Sequence, residues 1–101
     1  TTENKIAKAM ASTTGWNSST STGVPGNDQS LNNSSGFNAF PEGYRNLNGS
    51  FFNEGNDAVF WSSTETSYDG AWSRSLENDS SNLEKNNGYK QGGVSVRFVR
   101  D

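Results

Sequence analysis

The chain contains neither cysteine nor histidine. Without thiols it forms no disulfide and no thiolate metal site. Without imidazole it cannot run Ser-His-Asp or Cys-His catalysis, and zinc sites built from either ligand are excluded. Long apolar runs are also missing. No stretch approaches the roughly 20 residues of a membrane span, so membrane insertion is not expected. None reads as a signal peptide, so an exported form is expected to draw its targeting segment from outside this sequence. Positive charge is scarce, with eight Lys and Arg against eleven Asp and Glu, a net charge of -3 and an isoelectric point near 4.8. The basic residues are dispersed, and a nucleic-acid partner, which needs a basic face, is not expected.

Apolar residues are few too: 29% of the chain, with a mean hydropathy of -0.90. Two features still favour a folded domain over a disordered one. The low net charge keeps self-repulsion weak, and aromatics reach 12%, more than disordered segments usually carry. Each buried aromatic removes roughly 150–250 Å² from water, so a few of them replace many aliphatic side chains. The length of 101 residues suits one small domain spanning 1–101.

One helix is expected, over Thr2–Ser12. Ile6, Ala7, Met10 and Ala11 share a helical face, Thr1 or Thr2 caps the start, Glu3 suits the first turn and Gly15 stops the end. The stretch from Asn17 to Gly36 is rich in Ser, Asn, Gly and Asp and reads as a solvated loop or linker. From Phe37 an aromatic recurs every few residues. Short strands are expected at Gly49–Asn53 and Ala58–Ser62, with "EGND" turning between them. Gly70–Glu77 alternates, with Trp72, Arg74 and Leu76 on one face and Ala71, Ser73 and Ser75 on the other. Asn78–Ser81 reads as a turn, Asn82–Lys85 as a return strand and Gly88–Gly93 as a further turn. Gly93–Arg100 alternates most cleanly, with Val94, Val96 and Phe98 on one face. The fold class is therefore α+β: one N-terminal helix plus short antiparallel strands with long irregular loops. Phe37, Phe40, Phe51, Phe60, Trp61, Val94, Val96 and Phe98 form the expected core. Gly36, Pro41, Gly43 and Gly49 are read as turn devices. Tyr44–Arg45 reads as a structural pair, a buried Tyr with Arg bridging to a carboxylate. Arg97 and Arg100 read as strand-face ion-pair partners.

Several ordered motifs carry a resemblance. Gly36, Phe37, Ala39, Pro41, Gly43, Tyr44 and Arg45 come first, then Gly49 and Phe51, then Trp61 to Glu65, then Ala71 and Trp72, and finally Gly93 through Asp101. Upstream, "ASTTGWN" adds a further match. Together these resemble the Fibrobacter succinogenes major paralogous domain, common in surface proteins of Bacteroidetes, from about Ala11 onward. Phe98 stands where that family usually has Cys. The resemblance reaches only the C-terminal half of the family domain, so the chain is expected to be the C-terminal part of a larger lectin-like domain. It implies a C-type-lectin-like fold, shared with formylglycine-generating enzymes and with the variable proteins of diversity-generating retroelements. It also implies a secreted or cell-surface bacterial location. In that fold the first and last strands pair. The edge next to Val94–Arg100 is therefore expected to be completed by a second chain or segment.

The stretch between Tyr68 and Tyr89 holds the candidate ligand-binding residues: Tyr68, Asp69, Trp72, Arg74, Glu77, Asn78, Asn82, Asn86, Asn87 and Tyr89, with Asp79 among them. Tyr and Trp give contact area at low entropic cost, while Asn, Ser and Asp adapt their hydrogen bonding. A carbohydrate or protein ligand suits this mixture, and so does an ordinary solvated loop set. The resemblance adds that varied positions of retroelement-diversified proteins cluster shortly before the final strand, and Asn codons are rich in the base those systems mutate. No cofactor is expected. "NEGND", with Asn53, Glu54, Asn56 and Asp57, supplies oxygens for calcium, but Asx-turn chemistry explains it without a metal, as it does "GND" at Gly26–Asp28. Catalysis would need a carboxylate pair, Glu54 or Asp57 with Glu65 or Asp69, and none is expected. The leading expectation is a non-catalytic binding or adhesion module. A structural module with no ligand of its own is the alternative.

Overall fold

A computed structural model describes residues 5–98. The expected caps at Thr1, Thr2 and Glu3, and the residues Val99 to Asp101, lie outside them. Helix α1 is a little over one turn, Ile6–Met10, shorter than the expected Thr2–Ser12. It ends because Ala11 turns extended, at φ -71° and ψ 148°, and pairs in parallel with Ala39. The N–H of Ser12 donates to the Ala39 carbonyl at 2.8 Å. Gly15 plays no part in that ending.

Three strands form the main sheet: β3 (Asp57–Ser67), β4 (Gly70–Glu77) and β5 (Glu84–Tyr89), antiparallel in the order β3-β4-β5. A separate hairpin pairs β1 (Tyr44–Arg45) with β2 (Phe51–Phe52). β4 has the expected bounds. β3 runs on through the polar "SSTETS", with register shifts on either side of Glu65. Such bulges let a strand continue while its twist changes. The return strand is displaced from Asn82–Lys85 to Glu84–Tyr89.

The final segment corrects the expected strand Gly93–Arg100. Within the described residues it makes two single bridges, Gly93 to Arg45 and Ser95 to Phe60. Gly93 exchanges backbone bonds with Arg45 at 2.7 and 2.9 Å, while Ser95 bonds to Val59 and Trp61. The segment thus stitches the hairpin to the free edge of β3. Beyond it, Val96 is 58% and Phe98 92% exposed, so neither is core.

The core is instead built around four alanines, Ala7, Ala11, Ala39 and Ala58, with Trp16 and Leu76, and is flanked by Met10, Phe37, Phe60 and Leu83. Alanines let the backbones of α1, the 37–41 segment and the sheet approach closely. Of the aromatics expected inside, Phe40 and Phe51 are exposed. Phe37 and Phe60 meet edge to face, centroids 5.6 Å apart. Among the described residues Arg97 pairs with no carboxylate. Its guanidinium lies 4.3 Å from the Phe37 ring centroid and donates to the Phe37 carbonyl at 2.8 Å. Among the described residues the ion pair is Lys90–Glu65.

The 17–36 stretch is no free linker, contrary to its composition. Gly23, Val24, Pro25 and Gly26 are buried. The Lys8 ammonium donates to the carbonyls of Val24, Asn27 and Asp28 and to Asn32 Oδ1. Burial lowers the Lys8 pKa and Lys5 pushes the same way, while Asp28 opposes both. Gln29 closes on Trp16 with two bonds, and Gly26 donates to Asn78 on the main-sheet side. A polar loop is held here by side chains that satisfy its carbonyls.

Candidate functional site: a cleft on the open face of the sheet

Alternation gives the main sheet two faces. Ala58, Phe60 and Leu76 face α1 and the core. The opposite register carries Asp57, Val59 and Trp61 on β3, opposite Glu77, Ser75 and Ser73 on β4. On β5, Glu84 and Asn86 pair with Ser75 and Ser73, and Gly88 with Ala71. The hairpin stands over this face and the last turn flanks it. Together they enclose a cleft of about 390 Å³, within the size range of small-ligand sites.

Trp61 forms much of the floor. A Cβ on Gly88 would stand 3.1 Å from Cη2 and 3.3 Å from Cζ3 of the indole, so the ring lies across the one β5 position without a side chain. It is half-buried rather than sealed in the core. Tyr44, stacked on Phe52 with centroids 5.8 Å apart, makes one wall, with Leu47; Tyr89, 64% exposed, makes another. The hairpin reaches this position through Gly43, at φ 70°. Any Cβ there would meet the Phe52 carbonyl oxygen at 2.1 Å, so only glycine fits.

Polar groups line the same space. Asn86 Nδ2 donates to Ser75 Oγ at 3.1 Å, and Ser73 Oγ donates to the Asn86 carbonyl. On the opposite face, where Asn87 pairs with Trp72, Thr66 Oγ1 donates to Asn87 Oδ1 at 2.7 Å. Among the described residues Asn86 Oδ1 is unbonded, an acceptor on the cleft side. Asp57 and Glu77 sit opposite each other across β3 and β4, a register that brings Cβ atoms to about 4.5–5.5 Å. Burial raises the Glu77 pKa first, and the negative charges of Asp57, Glu84 and Asp79 raise it further. Asp57 accepts from Asn53 Nδ2 at 2.7 Å.

The structure divides the expected site residues. Glu77, Asn86, Asn87 and Tyr89 line the cleft. Trp72 lies on the other face, with Lys85 Nζ 4.2 Å from its ring centroid, and the register puts Arg74 on that face too. Tyr68 and Asp69 form the exposed β3–β4 turn. Asn78 and Asn82 sit in the β4–β5 connection, where Asn78 is tied to Asn17 and Asn56. Sequence reasoning missed Tyr44, Asp57, Val59 and Trp61 as site residues. The period-2 register of β3 against β4 was the signal that links Asp57, Val59 and Trp61.

The supposed carboxylate pairs are not assembled. Asp57 and Glu65 stand eight residues apart on one strand, about 26 Å at 3.3 Å per residue, and Asp69 lies beyond the strand's end. Among the described residues no group of three acidic, His or Cys side chains is placed to hold a metal ion. The 53–57 turn closes on itself, with the Asn53 carbonyl accepting from Asn56 and Asp57. No helix among the described residues is long and apolar enough to cross a membrane.

These features define a small α+β domain, mostly antiparallel strands in two sheets with little helix, whose open sheet face carries the cleft. The chain belongs to the Fibrobacter succinogenes major domain family, whose sequence model matches residues 2–100. That match takes in α1, upstream of the motifs quoted from Ala11 onward. No curated protein and no solved structure matches the chain.

Proposed function

We propose that this domain is a non-catalytic saccharide-binding module of a secreted or cell-surface bacterial protein, built on a C-type-lectin-like plan. The observation that carries the reading is the half-buried Trp61 indole on the floor of an open cleft, with its Cη2–Cζ3 edge against Gly88. A sugar offers a face of C–H groups that stacks on such a ring, and hydroxyls that need planar donors and acceptors. Asn86 supplies those beside the ring, with Ser73 and Ser75. β5 positions are exposed and tolerate exchange without touching the core, which suits a diversified surface; a neighbouring reverse transcriptase and template repeat in the genome would support that element, and their absence would end it. Asp57 and Glu77 are the pair a catalytic reading would use. Asp57 is held by Asn53, and we assign both to binding. Incubation with oligosaccharides should release no new reducing ends.

A glycan array probed with the wild-type chain and with Trp61→Ala tests the reading. Binding by the wild type and its loss in a variant that still melts cooperatively supports it. Equal signals from both chains would overturn it.

A second reading rests on a separate observation. Val96 to Phe98 make no backbone hydrogen bonds to described residues, and two of their three side chains are large, apolar and exposed. A strand from a second chain or segment fits this edge by main-chain pairing. Sedimentation of the chain with and without Phe98→Ser tests it; a monomer in both cases, with no added strand bound, counts against it.

A further inference from the structure

We infer that the cleft selects saccharides bearing a free, protonated amine, with Glu77 as the residue that reads it. This rests on the saccharide reading above and names the ligand class. The argument begins with shape: the cleft seats a flat ring on Trp61, between Tyr44 and Tyr89. β4 then sets what lies further along the same face. The register Trp61↔Ser73, Val59↔Ser75, Asp57↔Glu77 puts two carboxylates four strand positions from Trp61 and Ser73, about 13 Å at 3.3 Å per residue. An oligosaccharide with one ring stacked on Trp61 reaches that end with a ring further along its chain.

The charges at that end are one-sided. The groups acting on Glu77 from its neighbours are Asp57 on β3, Glu84 on β5 and Asp79 in the following turn, all negative. Arg45 also lines the cleft, but its guanidinium lies by the hairpin turn, with Nη2 3.3 Å from where a Gly49 Cβ would stand. The described ion pair, Lys90–Glu65, lies at the far end of β3. Glu77 is thus a partly desolvated carboxylate whose protein surroundings supply no cation. A ligand ammonium lodged there relieves the repulsion as well as forming its own charge-assisted bond. A neutral sugar stacks on Trp61 but leaves the repulsion in place.

Calorimetry on the whole chain decides this, using three tetramers: of glucosamine, of N-acetylglucosamine and of glucose, near pH 6.5. The glucosamine tetramer is expected to bind at least about fivefold more tightly than the other two, about 1 kcal/mol. Glu77→Gln should bring the glucosamine tetramer's affinity down to that of the glucose tetramer, and wild-type affinity for the glucosamine tetramer should weaken as pH falls toward 4.5 and Glu77 takes up a proton. Equal or weaker binding of the glucosamine tetramer by the wild type overturns the amine inference and leaves the saccharide reading standing. So does a Glu77→Gln chain that keeps the preference. No binding of any tetramer overturns the amine inference, and the glycan array then decides separately whether the saccharide reading survives.

Discussion

The two faces of the β3–β4–β5 sheet use the same strands for opposite purposes. One face meets α1 through Ala58 and Leu76, both at most 1% exposed, and carries small or aliphatic groups that fit against alanines. The other carries Trp61, Val59, two serines, three carboxylates and an asparagine, and is faced by the short hairpin. Adjacent residues on β4, such as Ser75 and Leu76, therefore answer to different demands: one must leave no void, the other must keep a surface wettable and shaped. In a domain this poor in aliphatic residues, a large aromatic left half-open on the second face is a notable use of apolar area. This contrast assigns stability to the first face and recognition to the second.

Substitutions on the two faces sharpen or break that assignment. Leu76→Ala removes a side chain with no exposed area from a core of alanines that cannot collapse around it. A loss of about 2–5 kcal/mol is expected, read by urea denaturation. A loss under about 1 kcal/mol would mean that the first face is not the one holding the sheet. Trp61→Ala should cost at least tenfold in saccharide affinity, about 1.4 kcal/mol, with a much smaller loss of stability than Leu76→Ala. Gly88→Val should weaken binding less, several-fold, because the added side chain must displace the indole edge at 3.1 Å without removing it; tryptophan fluorescence would report the shift.

Glu77→Gln tests the acidic end. Its carboxyl is raised above the ordinary value of 4.5 by burial and by Asp57, Glu84 and Asp79. Between that ordinary value and the raised one, the folded chain holds the proton more firmly than the unfolded chain. Stability should fall as pH rises through that window, and the ionised carboxylate remains a small penalty above it. The variant should flatten this slope and gain up to about 1 kcal/mol at neutral pH, read from melts at pH 4 to 7. Phe98→Ser should change the stability of the isolated chain least, within about 0.5 kcal/mol, because the ring is 92% exposed.

Local pattern made β4 readable to the residue, because Gly70 and Glu77 bound a clean alternation. It misled over the described part of Gly93–Arg100, where the same alternation appears without a described strand beside it; Gly93 and Ser95 each find one bridge partner, and among the described residues Val96 and Phe98 find none. The core was illegible for another reason. Ala7 and Ala11 lie on the helical face that their spacing marked, but Ala39 and Ala58 have no pattern that separates a buried alanine from an exposed one, so the larger aromatics drew attention, and Phe40, Phe51 and Phe98 proved exposed. The 17–36 stretch has loop composition, and nothing local announces that Lys8, from α1, will gather its carbonyls. Part of the cleft, Glu77 and Asn86 to Tyr89, lay within the polar stretch singled out from composition. Asp57, Val59 and Trp61 joined it only once strand register placed them opposite Glu77, Ser75 and Ser73.

The most direct measurement is an amide chemical-shift titration of the labelled chain with the tightest-binding oligosaccharide from the array. The account predicts shifts confined to residues 44–47, 57–61, 73–77 and 86–94, with α1 and Leu76's neighbours on the core face unmoved. Shifts centred on Trp72, Arg74 and Lys85, or on the 17–36 loop, with the cleft silent, would contradict it.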